Sequence, residues 1–410
     1  MEAQEQSRFF DLPLEVRRAI YAYLVPNAIH AFVRQGNVVL SPCIEPEIAG
    51  NRMRLGIERR PVEDKHSVCG KRSSEDVWAR RLQSSWGPHW QCEEIAQGTT
   101  LQGSDDRSYQ EKYGAGDHIA TMSMLLVCKR IYVDVAKVLI SDVTFHVTDL
   151  ETLDHLAQSN SRSQTLSSPY IFLFAEVPLL RRLHITLRLS LPLFRAIAIL
   201  ATVPTSSDCR KTAHVNMPPF HTSVSECDGA RKWLQVWPAL ARRLQGLQNL
   251  HLWLDHDKSA SWSLVNERAV VSSILASMSP DMIPGLGTAT INLPMLHPRY
   301  EVPDRHYMGG KAQPPAFVLI DRRLRQTYFY EETDPGAGSV TYAPDFPAML
   351  ELCDYTADSD FGPAMSPEQV EEMERDSWAR GVDPEDDIWE LAPWQGPGAR
   401  TLPPFSLSWW

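Results

Sequence analysis

Three stretches with one spacing constrain this fold more than anything else in the chain. Leu180-x-x-Leu183-x-Ile185-x-Leu187, Leu247-x-x-Leu250-x-Leu252-x-Leu254 and Leu286-x-x-Ala289-x-Ile291-x-Leu293 each set apolar residues two apart behind a leading residue. Period two is the mark of a strand with one buried face. Helical patterns lie near Leu193 to Ala201, Ala230 to Leu244 and Leu264 to Met278. Strands alternating with helices pack as right-handed βα crossovers, so a mostly parallel sheet is predicted.

The leading leucine gives each unit a leucine-rich-repeat-like look. The units begin at residues 180, 247 and 286, whereas a regular solenoid of that class repeats every ~20–29 residues. The expected fold class is therefore α/β, with an irregular leucine-rich-repeat-like βα layer on a mostly parallel sheet. Thr205 to Ser225 reads as a polar loop that interrupts it. Ala316 to Asp321 and Gln326 to Glu331 read as a closing hairpin that extends the sheet.

Two further helical stripes precede this layer. In Leu12 to Leu24 (LPLEVRRAIYAYL), Pro13 suits a first turn and Glu15 the positive end of the helix dipole. Val16, Ala19, Ile20, Tyr23 and Leu24 recur at spacings of three and four, and Pro26 stops the run. So short a helix is marginal alone and must dock its stripe on something. His30 to Leu40 reads as a hairpin turning at Gln35-Gly36-Asn37. The second stripe, Leu125 to Leu139 (LLVCKRIYVDVAKVL), sets Leu125, Cys128, Tyr132, Val135 and Leu139 on one line, with a second apolar line beside it. Such a helix is mostly buried. It leads into the strand Val143-Thr-Phe-His-Val147. From Ser41 to Asp117 the pattern fails, and the stretch reads as a polar, partly disordered insert with a short helix allowed near Glu75 to Ser84.

The net charge of −11 is uneven. Between Glu351 and Glu390 fourteen Asp and Glu stand against two Arg. There Ser366-Pro-Glu-Gln369 is a capping box, predicting a helix over 366–381 that ends at Gly381. Trp389, Trp394, Trp409 and Trp410 follow without periodicity. A near-neutral body with an acidic tail argues against nucleic acid as a partner. No apolar run reaches the ~18 residues of a spanning helix, and the polar start is unlike a signal peptide. No membrane partner is expected, and the expected location is cytoplasmic or nuclear. Seven scattered cysteines without a CxxC pair fit free thiols.

LPLEVRRAIYAYL resembles the opening of an F-box, Leu-Pro-x-Glu followed by spaced Ile and Leu. VCKRIYVDVAKVL resembles its later helix, where Val-Cys-Arg/Lys is typical. Followed by VTFHV, the pair is similar to F-box-like proteins of filamentous fungi, an uncharacterised family with an LPxEIRxxIYxYL start and an LLxVCKxIY…TFHF segment. The likeness covers about sixty of the 410 residues. It implies that the helical module binds the Skp1-type adaptor of a cullin ubiquitin ligase, and that the following layer holds an unknown protein substrate. On that resemblance Leu12, Pro13, Ile20 and Leu24 face the adaptor, with Val127 and Cys128 nearby. The long insert between the helices departs from a compact F-box.

Motifs for chemistry are sparse. Cys209, His214, His221 and Cys227 share one polar loop, but their C-x4-H-x6-H-x5-C spacing matches no common zinc pattern. They form a weak metal candidate, and no metal or other cofactor is expected. There is no G-x-S-x-G elbow, and Gly285-Leu-Gly287 and Gly309-Gly310 do not continue as phosphate loops. No catalytic residue is assigned. The sequence reads as a non-enzymatic protein-interaction scaffold, with an F-box-type substrate receptor as the specific form. A structural α/β protein of the same family without adaptor binding stays open, as does a hydrolase or transferase with a dispersed site. The expected organisation is an F-box-like helix and hairpin (1–40), the insert (41–117), the α/β body (118–335) and the acidic tail (336–410).

Overall fold

The sheet begins at a turn that Gln35 and Gly36 make possible. Both take positive φ, 52° and 73°, as a two-residue hairpin turn of the I′ kind requires. They fold β1 (Ala28–Arg34) antiparallel onto β2 (Asn37–Pro42). The other strands of this sheet run parallel to β1: β3 (Thr144–Val147), β4 (Arg182–Leu189), β5 (Asn249–His256), β6 (Thr288–Pro294) and β7 (Val318–Arg323). Their order is β2-β1-β3-β4-β5-β6-β7. This computed structural model describes residues 7–44, 81–98, 128–158, 177–202, 223–308, 313–334, 337–351 and 366–384.

The leucine-spaced stretches lie side by side at the register that their sequences share. Leu183 pairs with Leu250 and Leu250 with Ala289, and Ile185, Leu252 and Ile291 align in the same way. After β1 the parallel strands are laid down in chain order. With right-handed crossovers, that order puts the crossover helices on one face, whereas the short helix within residues 81–98 packs on the other. The connections carry α3 (Lys129–Asp142), α4 (Leu150–Ala157), α5 (Leu191–Thr202), α6 (Val224–Arg243) and α7 (Glu267–Ser277), and α1 (Leu14–Leu24) precedes β1. One apolar cluster joins Ile29, Phe145, Ile185, Leu252 and Ile291 of the strands to Leu139, Ile197, Trp237 and Ile274 of the helices. Trp233 and Trp237 of α6 are fully buried there. The α6 helix starts at a capping box in which Ser223 and Glu226 satisfy each other's backbone amides.

The first helix joins the layer by polar contact. Arg17 and Tyr21 are its buried residues, and Arg17 pairs with Asp134 of α3. An ion pair this enclosed is sustained by geometry rather than by net gain.

Two stretches differ from expectation. Residues 316–321 and 326–331 do not form a hairpin with each other. β7 adds to the sheet parallel to β6, after a connection long enough for a crossover. β8 (Gln326–Asp334) instead pairs antiparallel with β9 (Ala337–Pro344) in a separate two-stranded sheet. Leu324 and Arg325, between β7 and β8, are both buried. They are not residues that a tight exposed turn selects. The second difference lies in the stretch read as an insert. Its residues 81–98 contain a 3-10 turn, Gly87–His89, running into α2 (Trp90–Gln97), which ends at Gly98 with φ 67°. Trp86, His89, Cys92 and Ala96 fall on one side of this turn and helix, a stripe disguised by its His and Cys.

The chain divides into two compact units, Met1–Leu296 with Tyr300–Asp345, and His297–Arg299 with Phe346–Trp410. In the second, α8 (Pro367–Arg380) begins at the Ser366–Gln369 capping box and ends at Gly381. Around it, His297 packs on Phe346 and on Trp378, with ring centroids 5.8 and 4.9 Å apart. The buried Glu374 accepts the Met349 amide at 3.1 Å. The four tail tryptophans lie outside the described residues.

Candidate functional site

The predicted apolar stripe of α1 faces outward. Leu12, Leu14, Val16 and Leu24 are exposed and Tyr23 is 90% exposed, whereas Arg17 is 7% and Tyr21 1%. Pro13 is exposed and Ile20 half-buried. The cause is the partner chosen: positions 17 and 21 face α3, and burial followed by Asp134 raises the Tyr21 phenol above its ordinary pKa. Cys128 caps α3, its sulfur accepting the Ile131 amide at 3.5 Å. Val127 lies outside the described residues.

The sheet face opposite the helices carries a row of imidazoles. His30, His146, His184 and His251 are register partners on β1, β3, β4 and β5. Their neighbouring rings stand 4.9, 4.8 and 4.7 Å apart. Parallel pairing forces this, because one residue of the same parity in each strand must point the same way. Burial holds all four below the ordinary histidine pKa, His184 to about 3. They are neutral at pH 7. Both ring nitrogens of His30 and of His146 are buried without a hydrogen-bond partner.

Residues 81–98 lie over this face. Trp86 stacks on the His30 ring at 4.6 Å, and His89 stands edge-on to His30 and His146 at 5.0 and 4.7 Å. Arg188 of β4 donates to the carbonyls of Leu82 and Ser84. This packing brings Cys43, just after β2, and Cys92 of α2 to His30 and His89. One ligand atom from each of the four lies within 4.8 Å of the others, and all four residues are buried. The Cys43 sulfur is 3.5 Å from His89 Nδ1 and 3.9 Å from the Cys92 sulfur. Contact with Cys43, then burial, pushes the Cys92 thiol far up. As a bare thiol it is protonated and a poor nucleophile.

Gly87 sets how closely the segment seats. It has φ 55°, and a Cβ there would stand 2.7 Å from the Trp253 ring. That ring is held by Arg323, whose guanidinium lies 3.7 Å from its centroid. Gly87→Val is therefore expected to cost about 1–3 kcal/mol through backbone strain and overpacking. It should lower the urea midpoint and speed proteolysis within residues 81–98; unchanged values for both would refute this seating.

At the carboxyl ends of β4 and β5, where open α/β sheets often bind ligands, lies a narrow polar cleft with Arg188, Asp255, His256 and Arg325 in its wall. Its free space is about that of one water molecule. Asp255 accepts from Arg325 at 2.7 Å and Arg188 at 3.1 Å. Burial opposes its charge, but Arg325, Arg188 and Arg323 outweigh that and hold the carboxyl well below the usual range. Burial, with Arg325 next, lowers His256 to about 4. A carboxylate so thoroughly paired is suited to bracing rather than to proton transfer.

Of the metal candidates read from sequence, Cys209, His214 and His221 lie outside the described residues, and Cys227 is buried in α6. The cluster of His30, Cys43, His89 and Cys92 escaped sequence reading. One local signal was present, the His89-x-x-Cys92 pair. Another was the recurrence of apolar-His-apolar in Ile29-His30-Ala31, Phe145-His146-Val147, Leu183-His184-Ile185 and Leu250-His251-Leu252.

Comparison with known proteins gives one family match. The model of a family described as a domain of unknown function (DUF7730) matches residues 2–295. The matched span includes α1, the histidine row and the four-residue cluster. No curated protein and no solved structure matches the chain. No helix among the described residues is long and apolar enough to cross a membrane.

Proposed function

We propose that this chain, which belongs to the DUF7730 family, is a non-enzymatic protein-interaction scaffold that docks a Skp1-type adaptor on α1. The observation that carries this reading is the outward stripe of that helix. A helix serving only its own core turns its apolar residues in and its charges out. Here Arg17 is inside, and Leu12, Val16, Tyr23 and Leu24 are outside. The F-box-like sequence of this helix and of α3 supports the choice of adaptor. Consecutive parallel strands backed by helices support reading the body as a leucine-rich-repeat-like holder of a substrate. On this reading the protein works in the cytoplasm or nucleus, and its further partner is a protein substrate.

A second reading has its own support. The Arg17–Asp134 pair and the buried Tyr21 tie α1 to α3, as expected of a helix that closes the end of the layer and binds no adaptor. Mixing the purified full chain with a purified Skp1-type adaptor separates the two. We expect a one-to-one complex by size-exclusion chromatography, weakened at least tenfold by Leu12→Asp or Val16→Asp. Those exposed changes should alter the unfolding free energy by no more than about 0.5 kcal/mol. Absence of a complex with the folded wild-type chain would leave the end-cap reading.

A further inference from the structure

We propose that His30, Cys43, His89 and Cys92 form a structural Zn²⁺ site that staples residues 81–98 to the sheet. The case is independent of the adaptor reading and rests on distances, ligand chemistry and burial.

Zinc takes imidazole nitrogen and thiolate sulfur in a tetrahedron, with bonds of about 2.0–2.1 Å and about 2.3 Å. Those lengths put two sulfurs about 3.8 Å apart and a sulfur about 3.5 Å from a nitrogen. The Cys43–Cys92 separation is 3.9 Å and Cys43–His89 is 3.5 Å. The sulfur pair is far too open for a disulfide, which needs about 2.05 Å, and both cysteines are free thiols. Two of the six edges thus match a zinc tetrahedron, and all four ligand atoms lie within 4.8 Å of one another.

Burial supplies the second, independent line. A buried polar atom without a partner is costly, because it has lost its water and gained nothing in exchange. His30 is 0% exposed and has neither nitrogen satisfied. Trp86 stacks on the face of the ring and so leaves its edge, where the nitrogens are, for a ligand. A metal bond removes one orphan. It also fixes the other nitrogen as an N–H donor toward its surroundings, where His146, itself unpartnered, is a ring neighbour.

The third line is mechanical. Beyond the four ligands, residues 81–98 meet β1 and β2 through Trp86, packed with Ala28 and Phe32, and the partly buried Val39 and Ala96. So small an apolar contact gives these two strands little hold on the segment, beside the Arg188 and Trp253 contacts made farther along the sheet. The ligands come from β1, from the end of β2, from a 3-10 turn and from α2. One ion thus joins sequence positions far apart and closes the long connection between residues 43 and 89. Four protein ligands, all buried, leave no open position for water, which makes the site structural rather than catalytic.

The test uses the full chain purified under reducing conditions. Elemental analysis should give one Zn²⁺ per chain, and exchange into Co²⁺ should give the intense visible bands of a tetrahedral ion with thiolate charge transfer. Cys43→Ser and Cys92→Ser should each lower bound zinc at least tenfold, whereas Cys209→Ser should leave it unchanged. Chelation of the wild type should open residues 81–98 to protease, and added Zn²⁺ should close them. Wild-type protein that takes up neither Zn²⁺ nor Co²⁺ would overturn the proposal, as would a Cys43–Cys92 disulfide in place of two thiols. Loss of zinc with Cys209→Ser but not with Cys43→Ser would move the site to the polar loop. If the serine variants do not fold, the wild-type cobalt spectrum decides, because an octahedral ion or one without thiolate bands contradicts this ligand set.

Discussion

Asp255→Asn is expected to destabilise the fold by about 3–5 kcal/mol, as befits removal of one partner from a buried charge cluster. Asp255 is 3% exposed and stands among Arg325, Arg188 and Arg323. Arg325 and Arg323 are buried as well, and burial lowers Arg323 to about 9 even with the carboxylate beside it. Without that carboxylate three guanidiniums face one another in low dielectric. Arg325 also donates to the carbonyls of Ala260, His256 and Lys258, so the damage should spread to the 256–260 turn and to the start of β8. Urea unfolding at pH 7 reads the effect; a loss under about 1 kcal/mol would show that the arginines find other partners.

The same cluster fixes the sign of an acid response. His256 has its folded pKa lowered to about 4, against about 6.5 in an unfolded chain. Between those values the unfolded chain binds the extra proton, so stability falls as pH drops from about 6.5 to 4, by up to about 3 kcal/mol from this residue. Asp255 acts lower. Its folded pKa is depressed, so its contribution is intact above the unfolded value of about 3.9 and is lost as pH falls below it. Wild type should therefore lose stability in both ranges. Asp255→Asn should lack the lower leg attributable to this carboxylate while retaining a histidine-driven upper one. Urea midpoints measured from pH 7 to 3 would show it.

The second large effect concerns the helix side of the sheet. Glu267 is 0% exposed at the start of α7. It accepts from Arg322 at 2.6 and 2.9 Å, from Trp262 Nε1 at 3.1 Å and from the Tyr307 amide at 2.5 Å. Glu267→Ala leaves these donors unpaired and should cost about 3–5 kcal/mol. The double change Glu267→Leu with Arg322→Met should recover at least half of that loss, because replacing both partners of a buried pair by apolar residues is often neutral. A double variant no more stable than Glu267→Ala would mean that the Trp262 and Tyr307 bonds, rather than the ion pair, carry the cost.

Much of the α/β layer could be read from the chain because its information is local. Leu183, Ile185 and Leu187 repeat at the period of a strand, Gln35-Gly36 names its own turn, and Ser366 with Gln369 marks a helix start. The separation of β7 from β8 was not legible, since Arg325 between them is buried on Asp255, seventy positions away, where an exposed turn was expected. The outward orientation of the α1 stripe was equally hidden. Periodicity identifies an apolar side without saying what lies against it, and the inward partner proved to be Asp134, meeting Arg17. The His/Cys cluster failed for a third reason. Its members read singly as polar loop or strand residues, and only register brings His30 beside His146 and across from Cys92.

The strand order has a consequence for cooperativity. Strands laid down in sequence touch only their neighbours, so the sheet by itself resembles a stack whose two ends can fray independently. Residues 81–98 break that pattern. Their backbone and side chains meet His30 on β1, Arg188 on β4 and Trp253 on β5 at once. They form a diagonal tie across a stack that otherwise communicates one strand at a time. Loosening that tie should uncouple the β1–β2 end from the β5–β7 end, so that amide exchange in the two halves, synchronous in the intact protein, becomes separate.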